Sequence, residues 1–234
     1  MWAGPASAGG DGRADSGRFG RKDANKPYPA AIVPAAQNMV FGQEQLARLR
    51  AEAFAAVADE GQTSSLVDGG AEGDESPGTH LTLYEKPRRG PEPSPLARAW
   101  WETFVQSGCL ARVTAQVEAF LRARKSPVAL LPKFPSRAFF HLYAAESGDA
   151  TGGTAASATR GDGMTDHYDI VPHCAVTVCL TGDGAHPGLY WCRQKMRHQL
   201  HLDAGDIAII ARGVLHGVVR VARKEARLVL VLFY

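Results

Sequence analysis

The chain of 234 residues carries 26 Lys and Arg against 24 Asp and Glu, with 45% apolar and 21% charged residues. That is an ordinary globular composition, and it excludes a collagen-like or largely disordered chain as well as a strongly basic protein that coats nucleic acid. No run of roughly 18 apolar residues is present, so no membrane span is expected. The start, Met1-Trp2-Ala3-Gly4-Pro5, lacks the apolar stretch of a secretory signal. Cys109, Cys174, Cys179 and Cys192 form no C-x-x-C pair. They read as reduced thiols, which predicts a cytoplasmic or nuclear protein.

Residues 1–29 are dominated by Gly, Ala, Ser and Asp and read as a disordered tail, since they offer too little apolar surface to offset ordering entropy. The tail holds five Lys/Arg and three Asp, which is the whole net charge of +2. Leu46, Leu49, Phe54 and Val57 predict an amphipathic helix from Gln43 to Asp59, stopped at Gly61. Residues 62–79 read as a loop, and His80–Tyr84 as a short strand. Ser94-Pro95 has the form of an N-cap followed by proline at the first helical position, opening a helix through Trp100, Trp101, Phe104 and Val105. A second helix is expected from about Leu110 to Arg124, ended by Ser126-Pro127. Strands are then expected at 128–131, 137–145, 166–171, 174–181, 188–193, 197–202, 206–211, 215–221 and 226–233. A Gly/Ala/Thr/Ser insert at 146–165 reads as a surface loop, and turns fall at 181–184, 203–206 and 211–213. Helices first and strands later predict an α+β, mainly β fold with helices on one face of an antiparallel sheet system.

Among the eight histidines the informative set is His167-Tyr168-Asp169 with a distant His216. Residues i and i+2 of a strand share a face, so His167 and Asp169 can set an imidazole beside a carboxylate, and a strand 49 residues later can supply a third donor. Two His and one carboxylate on one side of a metal leave its other positions open, as in the facial triad of non-haem Fe(II) oxygenases. His-x-Asp alone is a weak signal. Arg227 stands in an otherwise apolar run, Leu228–Phe233, where a guanidinium needs an acidic partner.

The order H-Y-D, T-V-x-L, P-G-L-Y-W, A-G-D-I-A-I-I, L-H-G-V and E-A-R-L-V-L-V-L-F over about residues 137–234 resembles the 2-oxoglutarate and Fe(II)-dependent oxygenases, in particular the prolyl-4-hydroxylase-like branch. The resemblance implies a double-stranded β-helix (jelly-roll) core at 128–234, buttressed by helices within 30–127, as a single oxygenase domain 30–234. It implies His167, Asp169 and His216 as catalytic iron ligands. It further implies Arg227 as the residue holding the tail of 2-oxoglutarate through paired hydrogen bonds, with Arg220 and Arg223 as lesser candidates. Tyr143 stands either as a second cosubstrate ligand or as a core tyrosine. The usual Gly-Gly pair is Pro187-Gly188 here. The implied cofactors are Fe(II), 2-oxoglutarate and O₂, with ascorbate as a reductant.

The implied reaction hydroxylates a C–H bond, giving succinate and CO₂. The substrate reads as a prolyl or other amino-acid residue of a protein or peptide. A nucleobase, of methylcytosine or thymine type, is the alternative, favoured by the basic tail and Lys86-Pro87-Arg88-Arg89 and disfavoured by the near-neutral remainder. A non-catalytic jelly-roll binding protein is the reading from another class. His198 and His201 fall on opposite strand faces, His173 and His186 in turns, and Trp100-Trp101 at helical spacing, so these read as structural. No P-loop, Rossmann fingerprint or G-x-S-x-G elbow is present.

Overall fold

The computed structural model describes residues 30–38, 40–63, 78–87, 92–125, 131–144, 163–194, 196–219 and 226–234. The expected tail 1–29, the Ser126-Pro127 stop, most of the 146–165 insert, and Arg220 and Arg223 lie outside them. In chain order the elements are β1 (Ala30–Val33), α1 (Ala35–Asn38), α2 (Gln43–Glu60), β2 (Gln62–Thr63), β3 (Thr79–Glu85), α3 (Pro95–Gln106), α4 (Cys109–Ala123) and β4 (Arg137–Tyr143). The remaining strands are β5 (Met164–His167), β6 (Cys174–Cys179), β7 (Asp183–Arg193), β8 (Met196–Asp203), β9 (Ile207–Ala211), β10 (His216–Val218) and β11 (Arg227–Phe233). Among the described residues no helix is long and apolar enough to cross a membrane.

The strands make two antiparallel sheets, a large one ordered β1-β9-β6-β11-β4-β3-β2 and a small one ordered β5-β10-β7-β8. Alternation along each strand of the large sheet sorts its side chains between two cores. Leu228, Leu230 and Leu232 of β11, Val176 and Val178 of β6, and Ile207 and Ile209 of β9 face the helices, where they join Leu49, Trp100, Phe104, Val113 and Val117. Each of the three β11 leucines is fully buried, a contribution of roughly 1.5–3 kcal/mol apiece. Val229 of β11, Tyr143, Cys179 and Ile210 face the other way, toward Leu189 and Leu202 of the small sheet, and close the smaller core.

Local chemistry sets the helices. Ser94 Oγ accepts the Ala97 N–H at 3.1 Å and Pro95 opens α3. Between α3 and α4 the chain turns at Gly108, whose φ of +75° is left-handed. Trp100 donates its indole N–H to the Leu49 carbonyl at 2.9 Å and meets Phe140 edge-on at 4.6 Å, so the tryptophans knit helices to sheet. Asp206, opening β9, accepts the backbone N–H of Ala35 at 2.7 Å and of Asp203 at 2.9 Å, which ties α1 to the β8–β9 turn.

Several boundaries differ from expectation. The strand expected at 166–171 is β5, which starts at Met164, within the expected insert, and ends at His167. Its partner β10 begins at His216, opposite His167, so nothing continues the ladder further. The expected turn at 181–184 ends earlier, with β7 already under way at Asp183. Leu131, expected in a strand, is irregular. β1, a short strand at the edge of the large sheet, and the two-residue β2 carry no alternating pattern of their own and were not expected from the sequence.

Candidate active site

His167 ends the edge strand β5, and His216 begins β10 beside it. Asp169 lies past the end of β5, so the premise that it shares a strand face with His167 is corrected, but the chain still carries its carboxylate inward. Asp169 Oδ2 stands 3.1 Å from His216 Nε2, and Oδ1 stands 3.7 Å from His167 Nε2. The two rings lie 4.3 Å apart. The donor atoms of all three residues fall within 4.8 Å of one another, and among the described residues no other group of His, Cys, Asp or Glu does so.

The imidazoles are oriented from behind. His167 Nδ1 donates to the Thr165 carbonyl at 2.8 Å, and His216 Nδ1 to the Val214 carbonyl at 2.9 Å. A carbonyl only accepts, so each Nδ1 carries a proton and each ring turns its Nε2 toward the shared space. Burial works against a charge on His216, but the hydrogen bond and charge of Asp169, with the Val214 carbonyl, hold its pKa above the ordinary value. Exposure grades across the group, from 6% for the His216 side chain through 16% for Asp169 to 31% for His167, so the site opens to solvent on the His167 side. Tyr168 and Ile170, which alternate with Asp169, are exposed beside it.

Arg227 begins β11 and pairs in register with Tyr143, the last residue of β4, so both side chains point into the smaller core. Its Nη1 donates to the carbonyls of Gly188 at 2.8 Å and Val219 at 3.1 Å. A Cβ at position 188 would stand 3.5 Å from the guanidinium carbon, in ordinary contact with it, so the cation lies directly against this stretch of β7. Tyr143 is buried and stacks on His141 at 4.2 Å and 11°. Burial pushes the nearby Cys179 thiol up to about 12, with the Arg227 charge pulling the other way.

Among the described residues, His173, His198 and His201 do not join this group. His198 stacks on Trp191 at 4.1 Å, and His201 bonds the Gly184 carbonyl. His173 sits in a bend whose backbone pairs with Tyr234 and Arg212. Cys174 and Cys179 face different cores. Sequence reasoning missed Asp166, Tyr190 and Arg197, which cluster on the outer face of the small sheet. Asp166 adjoins the His-x-Asp pattern, but only strand order brings the other two to it.

No family model and no curated protein matches the chain by sequence. Solved structures do match. A 2OG-Fe(II) oxygenase family oxidoreductase from Burkholderia pseudomallei is 16% identical, with 88% of this chain and 83% of that one covered at a TM-score of 0.55. A prolyl-4-hydroxylase from Pseudomonas putida is 16% identical over 88% and 92% at 0.54. The non-heme alpha ketoglutarate dependent carbocyclase SnoK, from nogalamycin biosynthesis, is 10% identical over 93% and 84% at 0.52. With its two antiparallel sheets and its His, Asp and His side chains gathered at one end of the smaller one, the protein has the fold of the 2OG-Fe(II) oxygenases.

Proposed function

We propose that the protein is an Fe(II)- and 2-oxoglutarate-dependent dioxygenase that hydroxylates a C–H bond of a prolyl or other amino-acid residue in a protein or peptide. One observation carries the reading: two Nε2 atoms and a carboxylate converge, while each imidazole uses its other nitrogen on a backbone carbonyl. Two imidazoles and one carboxylate suit a divalent transition ion and leave part of its coordination free. His167, Asp169 and His216 would hold it, and Arg227 beside Tyr143 would hold the far carboxylate of 2-oxoglutarate. Iron and cosubstrate supply the oxidising chemistry when bound, with succinate and CO₂ as coproducts.

The chain's own residues position and shield. The Thr165 and Val214 carbonyls fix the tautomers and the ring angles. Leu189, Val218 and Val229 line an apolar interior in which the Arg227 charge acts with little screening by water. The graded exposure toward His167 gives a substrate its approach. In this reading residues 30–234 form one domain, with a double-stranded β-helix core at 128–234, helical support at 30–127 and a tail at 1–29. The prolyl-4-hydroxylase among the similar structures supports an amino-acid substrate, and the carbocyclase is the counterexample that the test must address.

Turnover with Fe(II), ascorbate and 2-oxoglutarate tests this. The expected result is succinate formation and a peptide that gains one oxygen by mass spectrometry. Arg227→Ala should raise the KM for 2-oxoglutarate by about 10–100-fold, the worth of a charged hydrogen bond. Oxygen gained by an oligonucleotide or a small molecule instead would replace the substrate assignment. Absence of succinate with every substrate would favour a non-catalytic protein.

A further inference from the structure

The strand that carries His167 has little to hold it. β5 is four residues long, lies at the edge of the small sheet, and touches one neighbour, β10, at the register positions His216↔His167 and Val218↔Met164, with an irregularity between them. A pocket of about 360 Å³, bounded by Met164, Tyr190, Arg197 and Gln199, adjoins the outer face. Asp169 hangs beyond the strand end. A small rotation of β5 would carry both donors away from His216.

Two side chains on the outer face, Tyr190 and Arg197, oppose that rotation by meeting at Asp166. Tyr190 lies on β7, two strands from β5, with β10 between them. Strands spaced about 4.8 Å apart put β7 and β5 nearly 10 Å apart. The Tyr190 hydroxyl nevertheless donates to Asp166 Oδ1 at 2.7 Å. It crosses β10 over Gly217, its register partner. A Cβ at position 217 would stand deep inside contact distance of the Tyr190 hydroxyl and ring carbon, and also of the Met164 carbonyl of β5, so any side chain there closes the passage and presses on β5 itself. Arg197 of β8 covers the phenol from the other side, its guanidinium carbon 4.6 Å from the ring centroid, and donates to the same Asp166 oxygen at 3.0 Å. One phenol therefore bridges all four strands of the small sheet and ends on the residue next to His167.

We infer that Tyr190 is a positioning residue: its hydroxyl, passing over Gly217 to Asp166, latches β5 and sets His167 and Asp169 at metal-binding distance from His216. The inference rests on the reading of those three residues as ligands. Removing an outer partner of a metal ligand costs about 10–100-fold in affinity, and a latch acting one residue away belongs near the lower end.

The test is Co(II) binding, followed by its visible spectrum, to the full chain and its variants. Tyr190→Phe removes only the hydroxyl, and Gly217→Ala blocks its path. Tyr190→Phe should weaken Co(II) binding about tenfold, and Gly217→Ala at least as much, since its Cβ also meets the Met164 carbonyl of β5. Asp166→Asn keeps the accepting oxygen and should stay within about twofold of wild type, whereas Asp166→Ala should fall with Tyr190→Phe. At saturating metal the KM for 2-oxoglutarate should not move. A role confined to stability would lower the melting temperature and leave Co(II) affinity unchanged, and that result overturns the latch while leaving the metal site standing. A wild-type chain that takes up no Co(II) overturns the ligand assignment itself, and the latch with it.

Discussion

His80 shows how much one buried side chain changes the behaviour of the molecule with pH. It lies on β3 opposite His141, its Nε2 is buried without a hydrogen-bond partner, and its ring packs 4.6 Å from Phe139. Burial, then the charge of Arg137, then His141 lower its pKa to about 4. The unfolded chain takes up this proton near 6.5, so stability is full above that pH and falls between 6.5 and 4, where only the unfolded state is protonated. The loss reaches about 2–3 kcal/mol at the acid end. His80→Leu should remove that part of the pH dependence, measured as the difference between wild-type and variant unfolding free energies at pH 7 and pH 4. An unchanged difference would count against the burial of this imidazole. His80 was legible in the sequence only as part of a strand, because its environment is made by β4. His167, Asp169, His216 and Arg227 were legible earlier, since their residue types are unusual where they stand: two donors two residues apart, and a guanidinium at the head of an apolar run.

At the scale of elements, the helices were the most legible. The apolar spacing of α2, the Ser94-Pro95 start of α3 and the Val113/Val117/Leu121 face of α4 lie within the helices themselves, and the observed ranges agree to within one or two residues. Strand ends were less legible, since a strand stops where its partner stops. β5 is the example, ending at His167 because β10 begins opposite it. The Gly205-Asp206 pair illustrates a motif whose cause is tertiary. Asp206 is nearly fully buried and its carboxylate receives two backbone N–H groups from separate elements. Asp206→Ala would leave both donors without that acceptor, at a cost of about 2–4 kcal/mol. Chemical denaturation should show a lowered midpoint with an unchanged slope. A shift below about 0.5 kcal/mol, the range of ordinary surface substitutions, would contradict this role.

Over the whole molecule, the large sheet divides the labour between two cores. Its helix-facing side carries most of the large buried residues, so α2, α3 and α4 secure the sheet without entering the site. Its other side meets the small sheet across a thinner core that includes Tyr143, Cys179 and Val229, and there the Arg227 cation bonds the Gly188 carbonyl. This separation explains why the sequence indicated the class of fold and the candidate donors but not the supports around them. Periodicity marks which residues are buried, whereas strand order β5-β10-β7-β8 decides that Tyr190 meets Asp166. It also makes the centre separable from the scaffold, so variants at the donors should fold and fail only in binding. Anaerobic titration of the full chain with Fe(II) in the presence of 2-oxoglutarate is the most direct measurement. Uptake of one ion per chain by the wild type, and its loss in Asp169→Ala and in His216→Ala with the fold retained, is the predicted result. Wild-type uptake that survives both substitutions would contradict it.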